Sequence, residues 1–212
     1  MTDITIIGSG NMARSIGTRA VAAGRSLQIL DRDAAKAAAL ASELGSAVTA
    51  GQLGSEISGA LVVLALPFDA AKEVAGAERQ ALAGKTVIDI SNPVNFETFD
   101  SLVVAPGSSA AEEIAALIPE STVVKAFNTT FAGSLAGGTV AGVPLDVFIA
   151  SDSEEASNAV AAFVADAGLR PIEVGPLRRA RELEGFQFVI MTLQANPAFD
   201  TFNWNTGLNI LV

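Results

Sequence analysis

Six residues near the start of the chain, Gly8-Ser9-Gly10-Asn11-Met12-Ala13, have the types and spacing that a dinucleotide pyrophosphate needs. They read G-x-G-x-x-A between a β-branched run, Ile4–Ile7, and a helical stretch, Asn11–Ala23. Gly8 permits a tight turn, Gly10 lets the backbone approach phosphate, and Ala13 lets the helix pack closely on its strand. The helix N-terminus then presents N–H groups and a positive dipole end to the anion. Turns of this composition also join strands to helices with no ligand at all. Placement after a strand and before a helix favours the dinucleotide.

The second strand ends near Asp31, about where an acid accepts hydrogen bonds from the adenosine ribose. A carboxylate there repels a 2′-phosphate and leans the reading toward NAD. Arg32 follows directly and Lys36 lies one helical turn farther on, where a phosphate of NADP could sit. The plain reading of both cations is a solvated helix start, so NAD and NADP stay open. Three more segments follow strands: Leu66-Pro67-Phe68, Ser91-Asn92-Pro93 and Phe127-Asn128-Thr129-Thr130. Proline commonly ends strands because it has no ladder donor. Two proline loops bordering one crevice nevertheless point to a lining for the nicotinamide side. Asn128 and Thr129 are placed to face a second substrate, with an amide and a hydroxyl that can donate to a carbonyl-bearing ring. Asparagine also ties many turns together, and that reading of Asn128 stands beside the first.

The chain has no histidine, cysteine or tyrosine. That removes Ser–His and Cys–His nucleophile pairs, the Tyr–Lys acid of many carbonyl reductases, and ordinary zinc sites. No side chain is assigned as a catalytic acid or base, and no metal is expected. Direct hydride transfer between two organic cofactors fits a site so poor in proton donors. The formal charge of −10 argues against nucleic acid or anionic membranes as partners. No apolar run reaches the length of a membrane span. With its first strand beginning at residue 4 and no cysteine, the chain reads as cytoplasmic without a signal peptide.

Apolar strands are readable at Ile4–Ile7, Leu27–Leu30, Leu61–Leu66, Thr86–Ile90, Thr122–Ala126, Asp146–Ala150 and Arg170–Val174. Alanine-rich helical stretches separate them at Asn11–Ala23, Ala34–Leu44, Ala70–Leu82, Ser109–Leu117 and Glu154–Ala167. Asp69 and Ser153 are placed as N-caps. This alternation predicts an α/β fold of Rossmann type, a doubly wound and mostly parallel sheet with a small C-terminal helical extension. Residues 1–176 form the dinucleotide-binding unit in this reading. Residues 177–212, a helix at Leu177–Leu193 and a tail, pack on that same unit.

Several segments together resemble the NADPH-dependent reductases of the deazaflavin coenzyme F420, the F420:NADP oxidoreductases. They are Gly8-Ser9-Gly10-Asn11, Leu66-Pro67-Phe68, Ser108-Ser109-Ala110-Ala111-Glu112, Val123-Val124-Lys125-Ala126-Phe127-Asn128-Thr129, the run from Gly168 to Leu177, and Arg181-Glu182-Leu183-Glu184. The resemblance implies NADP as cofactor, coenzyme F420 as second substrate, and hydride passing between nicotinamide C4 and deazaflavin C5. It also implies a homodimer. Two departures are visible: Asn128 stands where the family often has histidine. Asp31-Arg32-Asp33 stands where a serine and an arginine pair grip the 2′-phosphate. Related reductase-like domains carry the Asn-Thr pattern ahead of metal-reducing membrane helices. Two alternatives remain: an imine reductase resembling pyrroline-5-carboxylate reductase, which shares the Gly-Asn-Met-Ala opening, and an NAD(P)-binding regulatory module without turnover.

Overall fold

Short aliphatic runs that are buried along their length become the strands of one sheet, because helices cover both faces. The computed structural model describes residues 2–199 and 201–211. In chain order its elements begin with β1 (Ile4–Ile7), α1 (Asn11–Ala22), β2 (Leu27–Asp31), α2 (Ala34–Leu44) and β3 (Thr49–Gln52). Next come β4 (Leu61–Leu64), α3 (Phe68–Ala77), α4 (Arg79–Leu82), β5 (Thr86–Asp89), α5 (Ala110–Leu117), β6 (Thr122–Lys125) and α6 (Ala132–Gly137). A two-residue hairpin, β7 (Thr139–Val140) and β8 (Val143–Pro144), precedes β9 (Asp146–Ser151), α7 (Glu154–Asp166) and β10 (Arg170–Gly175). One 3₁₀ turn, Leu177–Arg179, leads into α8 (Ala180–Ala195).

The main sheet runs β10-β9-β6-β5-β4-β1-β2-β3. From β3 to β6 all neighbours are parallel, β9 is antiparallel to β6, and β10 is parallel to β9. This is the expected Rossmann-type α/β sheet, mostly parallel, with a reversed pair at one edge. Ile4, Ile6 and Ile29 face one core layer with Ala13, Ile16 and Ala20 of α1 and Val160 and Phe163 of α7. Ile7, Leu30, Val62 and Leu64 face the other, with Ala71 and Val74 of α3 and Ile114 of α5. Strand order reverses between β1 and β4, so the crevice beyond their carboxyl ends is the place for a ligand.

Several local expectations differ from what forms. The predicted helix over Ala70–Leu82 starts at Phe68 and breaks at Glu78 into α3 and α4. Pro67 occupies the cap position and Asp69 lies inside the first turn. Ser153 does cap α7, accepting from the Ala156 N–H. The edge strand β3 has no apolar signal because its residues are mostly exposed.

The tail turns back along the β9 edge. Asp146 accepts from Arg170 Nε at 2.5 Å, from Arg170 Nη2 at 2.7 Å and from the Ile210 N–H at 2.6 Å. Trp204 stands edge-on to Phe131, with ring centroids 5.5 Å apart.

Candidate functional site

The β1–α1 turn has the two glycines doing different work. Gly8 has φ +114°, and a Cβ there would lie 2.5 Å from the Ala65 carbonyl oxygen on the neighbouring strand end. Only glycine fits that close approach. Gly10 is the N-cap of α1, and a Cβ there would meet nothing within 4 Å. Its side is open, which is the space a pyrophosphate needs. No side chain caps α1, so its first-turn N–H groups are available to an anion.

Gly8, Asp31, Arg32 and Leu66 line a small cleft of about 60 Å³ beside this turn. Asp31 is held from two sides. Its Oδ2 accepts from the Ser9 hydroxyl at 2.6 Å and its Oδ1 from the Asp33 N–H at 2.9 Å. Asp33 in turn caps α2. Arg32 lines the cleft and Lys36 lies beyond it in the first turn of α2, their side chains 68% and 71% exposed. Arg32 lies 3.7 Å from Glu73 and Lys36 lies 4.0 Å from Asp33, too loose to neutralise either.

A larger cavity of about 630 Å³ opens on the other side of the α1 N-terminus. Asn11 and Met12 of α1, Asn92 after β5 and Asn128 after β6 converge on it. Phe127 makes the corner. Its φ of +62° is rare for a bulky residue, and its ring packs against Phe163 at 6.0 Å. That turn delivers Asn128, 2% exposed, to the cavity wall. There its Nδ2 donates to Asn92 Oδ1 at 3.0 Å and to the Leu183 carbonyl at 3.3 Å, while Asn92 Nδ2 returns a bond to the Asn128 carbonyl. Asn128 thus both lines the cavity and ties its loop together. Among the described residues its Oδ1 has no partner.

The remaining sequence-nominated residues sit outside both spaces. Pro67 caps α3, Phe68 is buried beneath Lys72 (5.0 Å from ring centroid to Nζ), and Pro93 is buried. Thr129 is buried beside Asn128 without lining the cavity, and its hydroxyl lacks a partner among the described residues. Lys36 lines neither space. Sequence reasoning missed the far wall, formed by Phe131, Gln187, Met191 and Trp204. The i, i+4 spacing of Gln187 and Met191 on α8 was the available signal.

Beneath that wall lies a buried ion cluster. Lys125 Nζ contacts Asp89 Oδ2 at 2.8 Å, Glu184 Oε1 at 2.7 Å and the Ser91 carbonyl at 2.5 Å, all with no solvent exposure at the charged groups. Glu184 also accepts from the Ala110 N–H at the start of α5, at 2.9 Å. Burial opposes the charge on Lys125, but the Asp89 and Glu184 carboxylates outweigh it and hold the ammonium protonated above its usual range. Burial, reinforced by the Asp89 charge, raises Glu184 against the pull of Lys125. The only ionisable side chain lining the large cavity among the described residues is Arg14, engaged by Glu43 at 2.7 Å.

Residues 3–93 match the family model described as NADP oxidoreductase coenzyme F420-dependent. The metalloreductase STEAP3 of Rattus norvegicus is 33% identical over 181 residues, covering 85% of this chain and 35% of that protein. The chain thus spans about a third, or less, of the curated metalloreductases it matches. An F420-dependent NADP reductase of Methanothermobacter marburgensis is 28% identical over 203 residues, covering 88% of this chain and 89% of its own. A crystal structure of a candidate F420-dependent NADP reductase from Arthrobacter sp. FB24 superposes with TM-score 0.82 at 24% identity. It covers 98% of this chain and 100% of the other, and it supports the fold.

Proposed function

We propose that this chain, whose residues 3–93 match the coenzyme F420-dependent NADP oxidoreductase model, is an NADP-dependent oxidoreductase whose second substrate is a deazaflavin of the coenzyme F420 type. The observation that carries the reading is the pairing of an anion-ready helix end with a roomy cavity almost free of acids and bases. When bound, the nicotinamide supplies a hydride from C4, the deazaflavin takes it at C5, and the accompanying ring nitrogen stays anionic or draws its proton from solvent.

The residues fit the dinucleotide. Gly8 lets the turn close against the Ala65 carbonyl, Gly10 leaves the pyrophosphate its space, and the α1 N-terminus supplies N–H donors. Asp31, already bonded to Ser9 and Asp33, offers its remaining lone pairs to ribose. Arg32 and Lys36, exposed and only loosely paired with Glu73 and Asp33, can turn to a 2′-phosphate, which favours NADP over NAD despite the carboxylate. Asn11 and Asn92 present amide donors, Asn128 its unpartnered Oδ1, and Phe127, Phe131, Met191 and Trp204 an apolar wall, suited to a planar ring edged with carbonyl and N–H groups. The protein's part is to position two rings and exclude water between them.

Imine reduction, the rival, must also deliver a proton to nitrogen, and the cavity lining offers no acid for it beyond an engaged arginine. The test is to mix the purified chain with NADPH or NADH and coenzyme F420. Loss of deazaflavin absorbance with NADPH, faster than with NADH, is expected. No reduction with either nucleotide overturns the reading. Tight NADPH binding without turnover on F420, a flavin, a cyclic imine or ferric ion identifies a regulatory module instead.

A further inference from the structure

The ion cluster beneath the cavity takes no part in hydride transfer, since its charged groups are wholly buried. Its stabilising value is also doubtful on physical grounds. Buried ion pairs are often no better than apolar side chains of equal volume, because desolvation cancels most of their attraction. What an ion cluster does offer, and an apolar contact does not, is fixed reach and direction.

Here the three donors of one ammonium are spent on three acceptors from separate segments: Asp89 at the end of β5, the Ser91 carbonyl just beyond it, and Glu184 on α8. Glu184 is meanwhile held by the Ala110 N–H at the start of α5. The height of α8 over the sheet is therefore set by the length of one glutamate side chain. That height matters because α8 carries the far wall of the cavity. Leu183, next to Glu184, receives Asn128 Nδ2 on its carbonyl, and Gln187 and Met191 line the cavity one and two turns later. On the sheet side Lys125 lies three residues before Asn128, so both ends of the cluster lead directly into the lining.

We infer that Glu184 is a positioning residue: through Lys125 it sets the distance between the α8 wall and the Asn92–Asn128 wall, and thereby the fit of the second substrate, while leaving the dinucleotide half of the site alone. The inference rests on the reading of the large cavity as the acceptor site, and the two can fail separately.

Two variants separate reach from charge. Glu184→Asp keeps the charge and shortens the side chain by one methylene, so it cannot span Lys125 and Ala110 without drawing α8 inward. Glu184→Gln keeps the length and an acceptor oxygen for Lys125 but removes the charge and turns an NH2, which cannot accept, toward the Ala110 N–H. Binding of coenzyme F420 is followed by quenching of Trp204, the one tryptophan of the chain and part of the cavity wall. Binding of NADPH is followed by calorimetry, and the α8 amides by hydrogen exchange.

With Glu184→Asp, the F420 dissociation constant is expected to rise about tenfold or more, since a displacement near 1 Å suffices for losses of that size. NADPH affinity stays within about twofold, and amides 183–191 exchange about tenfold faster than in the parent while those of β1 and β4 do not change. Glu184→Gln, which keeps the reach to Lys125, weakens F420 binding less than Glu184→Asp does. The inference is overturned if Gln is more harmful than Asp, if both ligands weaken by one common factor, or if exchange in α8 is unchanged in Glu184→Asp. If the parent chain binds NADPH but no F420, the proposed second substrate is wrong, and α8 exchange together with the order of the two variants' effects on it decides the positioning role.

Discussion

A side chain at Gly8 and one at Gly10 do harm for opposite reasons. At Gly8 the new Cβ meets the Ala65 carbonyl and the φ of +114° is unsuited to it, so Gly8→Ala should cost about 1–3 kcal/mol of stability. At Gly10 the space is empty, so Gly10→Val should melt like the parent yet lose dinucleotide binding by about a hundredfold as it fills the phosphate position. Calorimetric titration checks it, and unchanged affinity in the folded variant would move the site elsewhere. For the 2′-phosphate, Arg32→Ala should weaken NADPH about tenfold, roughly 1.4 kcal/mol, and NADH little, whereas Asp31→Ser should shift the ratio the other way. Asn128→Ala should lower stability by about 1–3 kcal/mol, because it takes the donor from Asn92 Oδ1 and the Leu183 carbonyl, and should also weaken the proposed acceptor, because it removes part of the wall. Melting curves and single-turnover reduction on that variant read the two effects apart. The places of the two glycines and of Asp31 beside the β1–α1 turn were legible in the sequence because they follow from spacing along one strand, turn and helix. Gln187, Trp204 and the Lys125–Asp89–Glu184 cluster were not, because they meet only through packing of segments far apart in the chain.

At the scale of elements, the end of the tail is tied to the sheet through Asp146, beside hydrogen bonds of Thr206 to Ser134 and Gln194 and the Trp204 contact with Phe131. Asp146 holds Arg170 through two hydrogen bonds and the Ile210 N–H through a third, and Arg170 reaches on to the Ile210 carbonyl. Burial opposes the charge, but Arg170 and the Ile210 N–H together hold the Asp146 carboxyl below its ordinary value of 3.8. A carboxyl depressed in the folded state contributes stability that is present above its unfolded value and lost as pH falls through its folded one. The contribution of this contact should therefore begin to fall near pH 3.8 and be lost as the pH drops further, through the lowered folded value. Asp146→Asn should loosen it at neutral pH, because an amide cannot accept from the guanidinium at both atoms. Trp204 reports the event: its emission should shift red in the variant and match that of the acidified parent, and an unshifted spectrum would show that Asp146 does not govern the tail. Nothing in the sequence pattern announces this fastening, since Asp146 and Arg170 read there simply as strand ends. The strands themselves were legible because both faces are buried and their residues form aliphatic runs. The edge strand β3 and the β7–β8 hairpin were not, having exposed or very short segments. The split at Glu78 was hidden too, because alanine-rich sequence supports helix on either side of a break.

Across the whole molecule, periodicity revealed the α/β class but is indifferent to strand direction, which is why the reversal of β9 against β6 could not be read in advance. The connection from β6 to β9 carries only the six-residue α6 and a two-residue hairpin, instead of a full crossover helix, and the chain returns antiparallel. The small cleft lies among the six parallel strands and the large cavity also borrows α6, α8 and the tail, so ligands filling both should tie the edge elements to the sheet. Ligand binding to the folded chain alone stabilises by mass action, about 2.7 kcal/mol at a hundredfold excess over the dissociation constant. For a chain of this size that corresponds to a rise in melting temperature of about 5–11 °C with NADPH. Each further tenfold in NADPH adds about 1.4 kcal/mol, so the melting temperature should climb steadily with the logarithm of concentration. The Gly10→Val chain should show a flat line over the same range. NADH at equal concentration should give a smaller rise than NADPH, by about 1.4 kcal/mol for each tenfold difference in affinity. A melting temperature insensitive to both nucleotides at millimolar concentration would rule out the β1–α1 turn as a dinucleotide site in the folded protein.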